Sequence, residues 1–300
     1  MSARVTVVIA TRNRREELMR TVRRLGELAP ASPVVVVDNG SHDGTAQAVR
    51  DGFPGVQVLA LPRNIGASAR NLGVQAARTP YVAFSDDDSW WAPGALERAA
   101  AVLDRHPQLG LVAARTLVGP EQRADPLTAL LAESPLPRAV DAPGPSVLGF
   151  QACSAVLRRD AFLQVGGFNP VLFHVGEETL VAYDLAAAGW QLCYLEDVVA
   201  HHHPSASRPD PRRRRSAELR NVVLTAWMRR PLRVAAHTAG ALARESVRDP
   251  AARAALVGVL ARLPAALRHR AALPPGVESQ VRLLEDGARR RSRRTFGLPW

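Results

Sequence analysis

Across 300 residues the chain carries a formal net charge of +11, and all 39 of its basic residues are arginine. The absence of lysine excludes a G-x-x-x-x-G-K-S/T phosphate loop, and the two cysteines, Cys153 and Cys193, fit no metal or redox spacing and argue against a disulfide framework. Residues 1–204 hold 18 Arg against 21 acidic residues, so the whole positive excess lies in the last third, and a high isoelectric point alone is no argument for nucleic acid.

The N-terminus leads straight into VTVVIA (5–10), a continuous buried-strand run without a basic leader, so no signal peptide is expected. Leu18, Val22, Leu25 and Leu28 then fall at helical spacing. VVVV (34–37) is a second strand, followed by a helix that Ser41 or Asp43 can cap. VQVLAL (56–61) and YVAF (81–84) are further strands, with a helix over 67–78 between them and another over 93–106. GLVAAR (110–115) is a fifth strand, and residues 117–147, rich in Pro and Gly, read as a long loop. FQACSAVL (150–157) resumes as a strand, 177–189 as a helix, and 191–203 as one or two strands. After a linker-like break at 205–215 the pattern is helical to about residue 270, and again to about 295 after Pro274–Pro275. No apolar run approaches the roughly 18 residues that cross a bilayer. Strands alternating with helices predict an α/β fold with a mostly parallel sheet, whose ligands bind beyond the carboxyl ends of its strands.

Three apolar strands end in polar clusters. Thr11-Arg12-Asn13 follows the first, Asp38-Asn39-Gly40-Ser41 the second, and Asp86-Asp87-Asp88 the fourth. All project from one edge of a parallel sheet, which makes a single site from distant segments. No Arg lies within seven residues of the three aspartates on either side. A solvated turn tolerates such charges, but the D-x-D pair Asp86 and Asp88 also offers the hard oxygens that Mg²⁺ or Mn²⁺ takes together with a substrate diphosphate.

In order, VTVVIATRNR, VVVVDNGSHDGT, RNIGASARNLGVQAA and YVAFSDDD resemble the family 2 glycosyltransferases of the GT-A fold, and FQACSAVLRRDAFLQVGGFNP, GEETLVAYDLAAAGW and VVAHHHPSAS continue the match, over about residues 4–205. The resemblance implies an inverting transferase that moves a sugar from a nucleotide-diphosphate sugar to a hydroxyl acceptor, a glycan or glycolipid of the cell envelope. It places Thr11, Asn13, Asp38, Asn39, Arg70, Asp86 and Asp87 on the nucleotide, with Asp38 at the base or ribose. It assigns the metal, Mg²⁺ or Mn²⁺, to Asp86, Asp88 and His201, with His203 in reserve. The family's second helix acid is Asp, whereas here Glu178 follows Glu177. Glu178 is therefore the expected base, Glu177 its competitor, and Asp184 stands where the family often has Arg.

The expected division is a catalytic unit over 1–205 and a basic, mostly helical extension over 206–300 whose ARRRSRR tail (288–294) is disordered. Leu256, Val257, Leu260, Leu263 and Leu267 at helical spacing, with arginines interspersed, suit either a packed appendage or an amphipathic surface that touches anionic lipid. A cytoplasmic protein, peripheral on the inner face of the plasma membrane, is the corresponding location. Two rivals remain: a sugar-nucleotide nucleotidyltransferase, for which TRNRR is a faint phosphate-gripping loop, and a non-enzymatic adaptor for membrane or nucleic acid on a dead transferase fold. Intact Asp38, Asp86 and Asp88 argue against the adaptor.

Overall fold

The computed structural model describes residues 3–139, 141–205 and 210–295. Its first half alternates as the sequence predicts: β1 (Val5–Thr11), α1 (Arg15–Gly26), β2 (Val34–Asp38), α2 (Thr45–Gly52), β3 (Gln57–Ala60), α3 (Ala69–Ala76) and β4 (Tyr81–Ser85). Then come β5 (Ser89–Trp91), α4 (Ala95–Arg105), β6 (Leu109–Val118), β7 (Arg123–Ala124), α5 (Pro126–Ala132), β8 (Ala155–Arg158), α6 (Arg159–Gln164), α7 (Glu177–Ala187) and β9 (Gln191–His202). One sheet runs β3-β2-β1-β4-β8-β6-β9-β5, with β7 paired to β6.

Valine runs make the central strands because both faces of the sheet are covered. Successive side chains of a strand point to opposite faces. Val5, Val7 and Ile9 accordingly pack with Leu18, Val22 and Leu25 of α1 and with α4. Val8 packs on the other side with Val74 of α3, Phe162 of α6 and Val181 of α7. The pairings among β1 to β4 are parallel, but β8 runs antiparallel to both β4 and β6, so the sheet is mixed in its second half. Hydrophobic periodicity reports that a strand exists and not its direction.

Residues 117–147 hold more structure than a loop. A turn at Gly119–Gln122 folds β7 back on β6, and Asp125 caps α5 by accepting from Leu127 N, with Pro126 at the first helical position. β5 was not anticipated either; at three residues it is too short for a periodic signal.

Four helices follow: α8 (Pro211–Arg229), α9 (Leu232–Ser246), α10 (Pro250–Arg268) and α11 (Pro275–Thr295). Asp-Pro pairs open α8 and α10, with Asp210 and Asp249 as caps. Val223, Leu224 and Met228 share one core cluster with Val171, Leu172 and Leu180, so the bundle packs directly on the region around α7. Arg229 of α8 makes a two-pronged ion pair with Asp184 of α7, and Arg230 does the same with Glu278 of α11. Asp184 is thereby committed to holding the bundle. The run 288–294, expected to be disordered, is helical in its backbone as the end of α11, which is seated by Val281 and Leu284. Residues 206–209 of the expected linker lie outside the described residues.

Gly66 is a tight point of this fold. Its φ is +69°, and a Cβ there would stand 2.1 Å from the carbonyl oxygen of Phe173. Gly66→Ala should cost about 1–3 kcal/mol from the left-handed backbone alone, with displacement of the 173 carbonyl adding to it. A urea unfolding midpoint equal to that of the parent would show that the 173 loop yields freely.

Candidate active site at the carboxyl ends of the strands

The parallel register sets Thr11 of β1 opposite Asp38 of β2, the last residues of both strands. Asp38 is buried and accepts from Ser41 N at 2.9 Å, which closes the turn after β2. Asn39 accepts from Ile65 N at 2.8 Å and donates to Gly66 O at 3.0 Å, so both ends of its side chain are spent on the 64–66 segment. Asn13, in the left-handed region at φ 54°, donates through its backbone N–H to Ser41 Oγ and accepts from His42 N. Asn13 therefore joins the loops after β1 and β2, and Asn39 joins the loop after β2 to the 64–66 segment, at the place assigned to the nucleotide.

The three aspartates leave β4 in one turn closed by Ser89, whose N–H donates to Asp86 O and whose Oγ accepts from Asp86 N. Each meets a different partner. Arg70 of α3, itself buried, reaches Asp86 Oδ1 at 2.5 Å and lies 5.7 Å from the Phe168 ring. Thr11 Oγ1 donates to Asp87 Oδ2 at 2.9 Å, and Thr21 Oγ1 to the Asp87 carbonyl at 2.8 Å. His202 Nε2 stands 3.3 Å from Asp88 Oδ1, and Ser205 N donates to Asp88 Oδ2 at 3.1 Å. Thr21 and Ser89 were missed in the sequence: Thr21 lies inside the helical run of α1, and Ser89, although next to Asp88, carries no charge to mark it.

The environments split the three carboxylates. Burial, with Asp86 and Asp88 on either side, pushes Asp87 up to about 7. Asp88 goes the other way: against burial, the His202 bond and charge and the Ser205 amide hold it below the ordinary carboxylate range. Burial also opposes the charge of Arg70, but Asp86, Glu177 and Glu178 outweigh it and raise its pKa.

Asp86, Asp88 and His202 each offer one ligand atom, all within 4.8 Å of one another, so the described residues hold a set able to bind a metal ion. His201, assigned to the metal from the sequence, is not brought to the carboxylates. It pairs across the sheet with Trp90 and stacks on that ring at 5.8 Å, while His203 tilts on the same ring at 4.6 Å and Arg24 lies 4.2 Å above it. His202 pairs with Ser89, next to Asp88. The register of β9 against the unforeseen β5 decides which histidine faces the acids, and a run of three histidines carries no mark of it.

Glu177 and Glu178 open α7 behind Gly176. Glu178 Oε1 accepts from Ala152 N at 3.4 Å. Burial and the charge of Glu177 push Glu178 up to about 7. Glu177 is the opposite case: although buried, it is held below the ordinary range by His174, 3.7 Å away, and by Arg70. Among the described residues, Glu177 Oε2 and Arg70 Nε are buried without a hydrogen-bond partner. A pair of carboxyls driven apart in this way divides the roles of proton acceptor and fixed charge.

Comparison with known proteins agrees with this geometry. The model of "Glycosyl transferase family 2" matches residues 6–166. An N-acetylglucosaminyl-diphospho-decaprenol L-rhamnosyltransferase of Mycobacterium tuberculosis is 28% identical over 252 residues, covering 69% of this chain and 80% of the relative. A pre-mycofactocin glycosyltransferase of the same organism is 35% identical over 214 residues, or 68% of this chain and 44% of that one. A mannosyltransferase from Pyrobaculum calidifontis, solved with GDP-Man and Mn²⁺, superimposes with a TM-score of 0.59 at 22% identity, over 96% of this chain and 80% of its own. S. aureus TarS, solved with UDP-GlcNAc, gives 0.56 at 18% identity, over 74% and 66%.

The raised Glu178 has a consequence for stability. A carboxyl whose folded pKa is about 7 against an ordinary 4.5 stabilises the fold fully below the lower value, and the contribution is lost as pH rises to the higher one. Asp87 acts in the same window, so the difference between two proteins is the readout. Urea midpoints should fall less steeply from pH 4.5 to 7 in Glu178→Gln than in the parent. Parallel curves would place the titration elsewhere.

Proposed function

Because the chain belongs to glycosyltransferase family 2, we propose that it moves a hexosyl or deoxyhexosyl group from a nucleotide-diphosphate sugar to a hydroxyl of a glycan or glycolipid, with inversion and with a divalent cation on Asp86, Asp88 and His202. It is a glycosyltransferase; donor, acceptor and stereochemistry are the finer reading. The observation that carries it is the meeting of Asp86, Asp88 and His202 beside the Thr11–Asp38 strand ends, with Arg70 linking them to the acids of α7.

The donor set fits such an ion: two carboxylates and an imidazole whose ligand atoms lie within 4.8 Å of one another. Mg²⁺ takes oxygen ligands almost alone, so the imidazole favours Mn²⁺. When bound, the ion neutralises negative charge that develops on the leaving diphosphate. The residues do the rest. Asp38, with Thr11 beside it, orients the nucleoside, and Arg70 supplies fixed positive charge on the diphosphate side. Glu178 takes the proton of the acceptor hydroxyl as that oxygen bonds to the anomeric carbon and the bond to the diphosphate breaks. Glu177 stays ionised against Arg70 and His174, which keeps Glu178 the better proton acceptor near pH 7. The rhamnosyltransferase relative supports an acceptor from the cell envelope.

The extension fits a lipid surface. Among the described helices α10 alone is long and apolar enough to cross a membrane, although the sequence shows no uninterrupted run of that length, since Arg253 and Arg262 interrupt it. Ala252, Ala255, Val259 and Ala266 pack it into the bundle. Val257 (64% exposed), Leu260 (62%) and Leu267 (45%) lie on its outer face, and Arg253 and Arg268 are exposed there too. A helix packed on one side and apolar on the other, with arginines at both ends, suits docking on the anionic inner face of the plasma membrane by a cytoplasmic protein.

A panel of nucleotide sugars, screened by thermal shift with and without Mn²⁺, tests the donor reading. A donor at ~100 times its dissociation constant should add about 2.7 kcal/mol, and Asp88→Asn should abolish the Mn²⁺-dependent part. Glu178→Gln should keep donor affinity within about twofold and lose at least ~100-fold in transfer. Stabilisation indifferent to Mn²⁺ would remove the metal, and normal turnover in Glu178→Gln would remove the base. For the membrane reading, flotation should be strong with anionic liposomes and fall with salt; equal, negligible binding to anionic and neutral liposomes would refute it.

A further inference from the structure

The segment that delivers the acids of α7 is held in an unfavourable conformation. Phe173 and Val175 have φ of 64° and 73°, followed by Gly176 at 77°. Only glycine enters that region freely, and a bulky or β-branched residue there costs about 1–3 kcal/mol. Such a loop persists only where its surroundings fix it. The fixing group comes from α8, 46 residues onward. The carboxamide nitrogen of Asn221, whose side chain is 1% exposed, lies 2.9 Å from Leu172 O, 2.9 Å from His174 O and 2.7 Å from Val175 O. Its oxygen accepts from Arg220 Nε at 2.9 Å, and Arg220 also donates to Leu172 O at 3.0 Å.

The loop reaches both halves of the site. His174 pairs with Glu177, Gly176 precedes the first turn of α7, and the Phe173 carbonyl accepts from Ala67 N at 2.6 Å. We infer that Asn221 is a positioning residue: from the helical extension it holds the strained 172–176 loop and through it sets Glu177 and Glu178 against Arg70 and the donor. The inference rests on the reading of this acid pair as the reacting carboxylates. A carboxamide suits the task, because it gives two N–H groups to three carbonyls and no charge. The donor side has its own support, since Asn39 holds Ile65 and Gly66 and Asn64 accepts from Gly66 N. Loss of Asn221 should therefore displace the acids and spare the nucleotide.

The test uses full chains with ¹³C-labelled glutamate carboxyls, so it needs no ligand. The signal of Glu178 is assigned by its disappearance in Glu178→Gln. In Asn221→Ala its midpoint should shift from about 7 toward the ordinary 4.5, because the carboxyl leaves its buried place beside Glu177. Asn221→Ser, which keeps one donor, should fall between and serves if the alanine variant does not fold. Release of nucleoside diphosphate from UDP-GlcNAc, GDP-mannose or a dTDP-deoxyhexose with Mn²⁺ gives the second readout. Asn221→Ala should lose at least about tenfold in turnover per folded enzyme, as small misplacements of reacting groups do, and should add little to Glu178→Gln. An unchanged Glu178 midpoint in both Asn221 variants, with stability lowered evenly at all pH, would overturn the inference and leave Asn221 a packing residue. Normal turnover in Glu178→Gln would instead overturn the acid assignment, and the carboxyl midpoints would still report whether Asn221 places it.

Discussion

Repulsion among clustered carboxylates governs this structure. Asp86, Asp87 and Asp88 leave one strand in a single turn, and Glu177 and Glu178 approach from a helix across the site. The buried guanidinium of Arg70 lies between the two groups and feels Asp86, Glu177 and Glu178 together. Charges taken out of water are tolerated only when paired or protonated. The site uses both routes, since Asp86 is paired with Arg70 and Asp88 with His202 and the Ser205 amide, while Asp87 and Glu178 hold protons up to about 7. The proposed divalent cation would meet the same requirement for Asp86 and Asp88 and would offset the charge of a donor diphosphate.

The fold serves that constraint by fixing where the chain ends of its strands lie. Parallel pairing of β1 with β2 and β4 brings Thr11, Asp38 and the aspartate turn to one edge. Asn13 and Asn39 then spend their side chains on joining loops, so that Asp38 is held in place. The helical extension belongs to the same construction. Its core cluster includes Leu180 of α7, Arg229 is paired with Asp184, and Asn221 grips the loop before Glu177. Asp184, at a position where the resemblance leads one to expect Arg, is paired with Arg229 of α8.

Much of this was legible in the sequence for a physical reason. Valine runs buried on both faces announce their strands, and polar residues at the ends of three such runs announce a shared edge. Thr11, Asp38, Arg70, Asp86, Asp88 and Glu178 are all found around that edge. What could not be read depends on contacts between distant segments. The choice of His202 over His201 follows from pairing with a three-residue strand, and the reversed direction of β8 leaves no periodic trace. Asn221 looks like any polar residue in a helix until the loop at 172–175 is seen beside it.

The central claim is that the carboxylate turn and one particular histidine hold a divalent cation at the donor diphosphate. Anomalous diffraction at the manganese edge, from crystals grown with Mn²⁺ and a nucleoside diphosphate, tests it most directly. The account predicts a single strong peak within bonding distance of Asp88 and His202 and of the diphosphate oxygens, with His201 still stacked on Trp90. A peak on His201 or His203, or a nucleotide bound at Asp38 with no manganese at Asp88, would contradict it.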